Sequence, residues 1–550
     1  MLSSISEFYE GKNILVFGST TFPGKVLLEK LLRSCPNINK IFCPIQTLTN
    51  KTSHLTPTDT FAEIYTTKLF DRVRQTNSKF HEKILPFNLN SLLSSTLNDD
   101  DDDQHEDIYK NLRNNIDICF YIANNTIDFK EQNLKDMIEN NVIHLKSILS
   151  FLKTCTKLKS IVYLSSIYAN IGKILFISKK KSTVSVYLDC PYIDECIYPC
   201  PIEAHKLVET LDWMDKEMID LATPKLIGPK PNTFSFSHWL AETLLAEEEK
   251  NLPSISIVRV SIIGAAWKEP YPGWVEKSDG PGELFVAAGR GYLRSMKGDS
   301  HDILDIVPVD IPVNLLISSA WQKFHEENHE HMTIYHCTSS GLNPFHWQEM
   351  SNYFTEYSKR VPYEHAFRRP NLSVTNHSLL HDSYVFFSHL IPAYLADFGL
   401  LLIGRKPHIV NIYKNLHRTL LSLESFTIRG EIQCSYDSLN SLRQLVSETN
   451  NSNEFYFDIR ALHWPTYIES YLIGTKRYVL NEDIQCLNGA QRHLNNLRNI
   501  RWTFNTIILV LLWRIFISKR PTARNLWYFI INFFVAKFVR FFKIISAGNT

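Results

Sequence analysis

The chain opens on a short apolar run and then changes period. Ile14 to Phe17 suits one buried strand, Gly18 ends it, and from Pro23 the positions Val26, Leu27, Leu28, Leu31 and Leu32 share one helical face. Strand, glycine turn and helix predict the first unit of a dinucleotide-binding βαβ fold. Further apolar runs follow at Lys40–Ile45, with Pro44 inside it, and at 116–122, 158–166 and 255–262. Helical periodicity separates them at 131–153, 203–220 and 233–250. Shorter strands are expected at Leu304–Pro308 and Met332–Cys337. This alternation predicts an α/β class, a doubly wound parallel sheet, over residues 1–345. From 346 to 500 the pattern is mainly helical and rich in aromatic residues.

Residues 501–550 differ from the rest. They hold no Asp or Glu, and eight Lys or Arg interleave with two apolar runs, 504–517 and 526–545. Each run is near the lower length limit for a spanning helix or is interrupted by a cation. Arg514, Lys537 and Arg540 can snorkel, and Trp502, Trp513, Trp527 and Tyr528 suit a headgroup zone. A membrane-anchoring tail is expected; a buried C-terminal helix pair is the alternative.

Composition adds bounds. Over 550 residues the net charge is +1, so no global field points to nucleic acid. Ten cysteines without C-x-x-C spacing suggest reduced thiols rather than a disulfide framework. The N-terminus lacks the basic and apolar regions of a signal peptide. The run Asp99–Asp103 reads as a solvated loop, since a calcium site needs ligands spaced by a turn. His325-Glu326-Glu327-Asn328-His329 matches H-E-x-x-H, but it leads directly into a strand and reads as a frayed helix end or a surface loop. No metal site is expected.

Gly18 and Gly24 stand as the first and last glycines of G-x-x-G-x-x-G, with Thr21 in the middle position and Ser19 and Thr20 between. Such a turn offers a pyrophosphate close backbone approach and helix N–H groups. On these residues alone, an ordinary strand–turn–helix without a ligand is an equal reading.

Longer strings are more specific. FYEGKNILVFGSTTFPGKVLLEKLLRSCP resembles the start of alcohol-forming fatty acyl-CoA reductases. The resemblance continues through TPKLIGPKPNTFSF, IVRVSIIGAAWKEPYPGW, DIVPVD, NPFHWQEM, AFRRPN and FDIRALHWPTYIESYLIGTKRYVL, in order and over nearly the whole chain. The vertebrate type is nearest. The resemblance implies an extended short-chain dehydrogenase/reductase fold, NADPH as cofactor, a C-terminal helical domain and a membrane tail, with the main part facing the cytosol on peroxisomes. It implies reduction of a long-chain fatty acyl-CoA to a primary alcohol with release of CoA, as a precursor of ether lipids and waxes. The expected partners are the acyl-CoA and, through the tail, a lipid bilayer; a homo-oligomer stays open.

That family reduces its carbonyl with a Tyr-x-x-x-Lys pair on one helix, a Ser or Thr after an earlier strand, and a helix Asn. Here Ser166 matches the hydroxyl position and Asn141 the helix Asn, but the pair does not survive. Phe234 stands at the Tyr position and His238 at the Lys position. Phe has no ionisable proton, and losing a positioned general acid typically costs about 10²–10⁴-fold. As residues, Phe234 and His238 also read simply as an apolar helix face, and Ser166 as a strand-end hydroxyl serving local backbone. Thr21 puts a branched side chain where the backbone should approach the cofactor, and Pro23 removes an N–H. Gln46 replaces the Arg expected to pair with the 2′-phosphate, a charge-assisted contact worth roughly 1.5–3 kcal/mol. NADPH binding is expected to be weakened. Residues 171–190, with the Lys179–Lys181 cluster, read as an insertion beside the active site. The expectation is an impaired reductase; the alternatives are an inactive family member that only binds acyl-CoA or proteins, and a poorly folding relic.

Overall fold

The computed structural model describes all residues except 1–3, 46–55, 90–111, 123–132, 172–191, 277–280, 326–331, 425–432, 450–451, 484–486, 523, 530 and 534–550. Seven strands form one all-parallel sheet: β1 Asn13–Phe17, β2 Lys40–Ile45, β3 Ile84–Asn88, β4 Ile118–Tyr121, β5 Ser160–Ser166, β6 Ser254–Val260 and β7 Met332–Cys337. Their spatial order is β7-β6-β5-β4-β1-β2-β3. The order reverses direction between β1 and β4, and the crevice outside the strand ends there is where open α/β sheets bind ligands. Apolar runs buried on both faces account for this sheet: β5 and β6 are buried at every position. The four strands expected at 13–18, 116–122, 158–166 and 255–260 lie in this single sheet. Pro44 is tolerated because β1 pairs with β2 only as far as Phe42, so the proline lies beyond that ladder and opposite Phe87 of β3.

Helices cover both faces. Helix α1, Phe22–Ser34, follows β1 directly. Leu134–Ile138, a π turn at Glu139–Ile143 and His144–Leu152 run on as one helix, α2. The pattern expected at 203–220 is two helices, Ala204–Trp213 and Lys216–Leu226, because Asp215 caps the second. Helix α3 is Thr233–Glu248, started by the Asn232 side chain, which accepts from the Ser235 N–H. Helix α4, Asp310–His325, ends at the first residue of the H-E-x-x-H match; Glu326 to His329 lie outside the described residues. The acidic run and most of the 171–190 stretch lie outside them too.

The C-terminal part is helical, as expected, and is sewn onto the sheet. Asn343 donates to the carbonyls of Ile459 and Leu462, and the Trp464 indole donates back to Asn343. Lys30 of α1 is buried; its ammonium meets Glu269 at 2.6 Å and the Glu454 carbonyl at 2.5 Å.

The densest polar joint is fully buried. Glu242 of α3 receives a forked contact from Arg259 of β6, at 3.0 and 2.7 Å, and a hydrogen bond from Ser165 of β5 at 2.5 Å. Arg259 also donates to the carbonyls of Asp194 and Cys196. His336 of β7 stands 3.2 Å from the guanidinium through Nε2 and 2.8 Å from the Ser435 carbonyl through Nδ1. A guanidinium only donates and a carbonyl only accepts, so His336 is neutral with its proton on Nδ1. Burial, with the Arg259 charge, pushes its pKa down to about 3. Burial alone would raise the Glu242 carboxyl, but the Arg259 charge and its hydrogen bonds outweigh that and hold it below the ordinary carboxylate range.

Two outcomes follow from this joint. Glu242→Gln strands a buried guanidinium and should cost about 3–5 kcal/mol in urea denaturation, whereas the double change Glu242→Leu, Arg259→Met should recover most of it. His336 binds no proton in the folded protein between about 3 and 6.5, while the unfolded chain does. Stability should therefore fall as pH drops from 6.5 toward 3, and His336→Gln should flatten that slope in pH-resolved melting.

Candidate active site at the strand ends

The turn after β1 is built for close packing. Gly18 sits at φ +76°, and a Cβ on Gly24 would lie 2.1 Å from the Gly18 carbonyl oxygen, so both positions require glycine. Thr21 caps α1: its hydroxyl donates to the Gly18 carbonyl at 2.7 Å and accepts from the Gly24 N–H at 3.3 Å. Thr21 itself is extended, at φ −73°. The middle glycine is thus replaced without strain, by a residue that does the capping. The cost falls on ligand binding. Pro23 has no N–H and the Gly24 N–H points at Thr21, so two donors of the first helical turn are withdrawn from a pyrophosphate. Ser19 is buried and Thr20 exposed at the mouth of the turn. The cradle fits a dinucleotide with fewer donors than a three-glycine turn. Gln46 lies outside the described residues.

The second half of the site is the contact of β5, α2 and α3. Asn141 sits in the π turn of α2, buried, and donates to the Ser237 hydroxyl of α3 at 3.0 Å; Ser237 donates to the Phe234 carbonyl. The π turn swings the Asn side chain out of the helical register toward α3, a common use of such turns at functional sites. Phe234 and His238 are one turn apart, with ring centroids at 4.5 Å, and His238 is fully buried. The two substituted positions therefore fill each other's space as an aromatic pair.

Ser165 and Ser166 point to opposite sides of β5. Ser165 faces Glu242, while Ser166 donates to the Val260 carbonyl at 3.4 Å and accepts from the Tyr168 N–H at 3.4 Å. Both Ser166 contacts are long, so its hydroxyl is loosely held at the strand end. The structure brings Asn141, Phe234 and His238 together on α2 and α3, and sets Ser166 at the adjoining strand end. The cofactor turn lies two strands away, after β1.

Lys230 is the residue that pattern reading passed over. It is buried, donates to the Ala169 carbonyl at 2.6 Å and lies 4.0 Å above the Trp239 ring. Burial pushes its pKa down to about 8. An ammonium of that strength can release a proton near neutral pH, which Phe234 cannot. The surrounding string, LIGPKPNTF, gave no periodic or motif signal for it.

A narrow apolar chamber of about 20 Å³ begins at Ile262, two residues past Val260, the partner of Ser166. Leu284, Phe285, Met350 and Phe354 are among its walls, and every lining side chain is apolar. Its walls suit a hydrocarbon, and its volume holds about one water-sized group.

Comparisons with known proteins bear on this arrangement. An NAD-binding family model described as male sterility protein matches residues 16–316, and a second, with the same description, matches residues 388–482. Fatty acyl-CoA reductase 1 of Gallus gallus is 39% identical over 543 residues, covering 99% of each chain. The chain belongs to the fatty acyl-CoA reductase family. Fatty acyl-CoA reductase 2 of Bos taurus is 35% identical over 548 residues, covering 100% of each chain. Among solved structures, the terminal R domain from the myxalamid PKS-NRPS pathway shares the fold, with a TM-score of 0.52 and 16% identity over 86% of this chain and 93% of that one. The reductase family thus brings an NAD(P)-type domain, and the sheet order agrees with it.

The turn yields a direct expectation. Thr21→Gly frees the Gly24 N–H and lets the backbone approach a phosphate, while exchanging a Thr cap for Gly costs only a few tenths of a kcal/mol. A nicotinamide dinucleotide should bind about tenfold tighter by calorimetry, in line with one added hydrogen bond to a charged group.

Proposed function

We propose that this chain is an NADPH-dependent, alcohol-forming fatty acyl-CoA reductase whose turnover is strongly impaired. The substrate class is long-chain fatty acyl-CoA and the products are the primary alcohol and CoA. When bound, the nicotinamide cofactor supplies hydride. The chain's own residues do the rest. The Gly18–Thr21 turn and the Phe22 N–H hold the pyrophosphate, Ser166 donates to the substrate's carbonyl oxygen, and Asn141 keeps α3 in place through Ser237. The acyl chain enters between the apolar walls of the chamber, which part to admit it and keep water from it.

Proton delivery is the weak step. Reduction leaves negative charge on the carbonyl oxygen, and a positioned acid must neutralise it. Phe234 at the Tyr position carries the reading of impairment, because no phenol is there. His238 fills the ammonium position with a buried ring packed at a tilt of 59° against that Phe. Among the described residues, Lys230 is a cation beside Ala169, and it supplies whatever proton transfer persists. A second reading, a family member that binds acyl-CoA or proteins without turnover, draws on the same pair together with the capped turn. For location we propose a peroxisomal membrane protein whose tail from residue 501 inserts and whose main part faces the cytosol. The side chains described from 501 to 515 are exposed, including Trp502 at 68% and Leu509 at 65%, which argues against a buried helix pair.

Turnover decides between the readings. The unmodified chain should reduce long-chain acyl-CoA with NADPH at least about 10²-fold more slowly than a family member with the intact pair. Phe234→Tyr with His238→Lys should recover part of that rate, and each single change much less, because the two act as one unit. No recovery in a folded variant that binds NADPH would favour the binding-only reading. For the tail, a chain ending at residue 500 should become extractable by alkaline carbonate, while the full chain resists it.

A further inference from the structure

Residues 378–402 form one continuous helix: Ser378–Tyr384, a π turn Val385–Leu390, and Ile391–Leu402. It is the one described helix long and apolar enough to cross a membrane, and its apolar stretch is only 17% buried. Its amphipathicity is inverted. Asp382 and Ser383 near its start are exposed, but His381, Ser388, His389 and Asp397 face the protein: His381 meets the Ser295 hydroxyl at 3.1 Å, His389 accepts from the Arg294 N–H at 3.2 Å, and Ser388 is held by Arg294 and Arg368. Asp397 accepts three N–H groups, from His408, Ile409 and Val410, each at 2.9 Å, and so caps the next helix, Ile409–Glu424. The apolar residues face outward: Leu379 is 83% exposed, Phe387 69% and Leu402 72%. A water-facing helix does the reverse, and a contiguous apolar face this long marks a docking surface.

Three observations say what covers it. First, no acid occurs between Asp397 and Glu424, whereas Arg405, Lys406, Lys414 and Arg418 are exposed there, a charge bias that suits anionic lipid headgroups. Second, the acid-free tail starts alongside: Arg501 is close enough for its charge to act on Arg294, which holds Ser388 and His389. The same tail helix is fixed to the body by His493, on the Ala366 carbonyl at 2.8 Å. Third, a chamber of about 190 Å³ opens beneath the helix, between His381, Val385, His417 and Leu421, and shares Met296, Trp347 and Leu423 with the narrow inner chamber.

We propose that helix 378–402 lies in the plane of a membrane surface, its outer face sunk among the acyl chains, so that the chamber mouth opens to lipid. It does not span. His381, His389 and Asp397 bind it to the body across sixteen residues, about 24 Å of helix, and both ends return to the body. The route for substrate follows: the acyl chain enters, and the alcohol leaves, laterally through that mouth. This route rests on the acyl-CoA reading; the docking does not.

The test uses the full chain in vesicles of phosphatidylcholine with phosphatidylserine. With Cys190, Cys196, Cys200 and Cys486 changed to Ser, an environment-sensitive dye is placed at Phe387→Cys or Leu395→Cys, and at exposed Glu356→Cys as control. The dyes at 387 and 395 should shift to the blue and be quenched best by lipids spin-labelled near the glycerol, while the dye at 356 should report water. Emission at 387 and 395 equal to that at 356 overturns the docking, and strongest quenching by labels at the bilayer centre overturns the in-plane arrangement. A fluorescent long-chain acyl-CoA then tests the route. Leu395→Glu with Phe398→Glu should slow its loading from vesicles several-fold and leave its binding in detergent unchanged. Equal loading overturns the route. Absence of binding in detergent by the unmodified chain overturns the acyl-CoA reading and leaves the docking result standing.

Discussion

The fork between Arg259 and Glu242 is the contact on which the rest of the site depends. It joins β6 to α3, and through Ser165 it also fixes α3 to β5. The same guanidinium gathers the Asp194–Cys196 segment, and His336 hands the network on to Ser435 in the C-terminal part. A buried ion pair of this kind is weak evidence for net stability, since apolar residues could fill the same space. Its value is positional. Phe234 and His238 lie on the same helix, two turns and one turn before Glu242, so the helix that should carry the acid is clamped in register whether or not the acid is there.

That clamp accounts for how the two positions proposed as catalytic can hold Phe234 and His238 without a visible disturbance of the fold. The Tyr and Lys positions of α3 became an aromatic pair at 4.5 Å, and the helix start, its cap and its polar joint are intact. The cofactor turn changed in the same manner. Thr21 supplies a helix cap that a glycine could not, so the local structure is secured while two phosphate donors are withdrawn. At both places the residue present suits the fold, and on the proposed function it lacks the group that the chemistry would use.

Much of the fold was legible because buried parallel strands announce themselves as continuous apolar runs; β1, β4, β5 and β6 are such runs. β3, Ile84–Asn88, was not, because its residues are mostly half-exposed at the sheet edge and carry Pro86 in the middle. The strings that carried the family resemblance prove to be joints between distant segments. Asp310 of DIVPVD accepts the backbone N–H groups of Trp267, Lys268 and Glu269 from AAWKEP, and Asn343 of NPFHWQEM binds the string around Trp464. Candidate site residues were legible only as departures from that family. The packing of Asn141 on Ser237 and the burial of Lys230 under Trp239 depend on chain segments far apart in sequence, which no local pattern encodes.

Helix 378–402 was read as helical and aromatic, and its orientation was not readable. Hydropathy alone cannot tell a core helix from a lipid-facing one; the direction of the polar minority decides. His381, His389 and Asp397 recur at spacings of eight, and the π turn Val385–Leu390 takes up part of the rotation that this spacing would give an α-helix; in a soluble helix such polar residues would face water. Here each is bonded to the body, and Asp397 holds the following helix so that the cationic loop is displayed beside the apolar face. A chain that handles long hydrocarbon substrates gains from such an arrangement. The apolar product of reduction has little reason to enter water, and a mouth at the lipid surface spares it that step. The tail alone would hold the protein near a membrane in any orientation. The inverted helix is what would turn the chamber toward it.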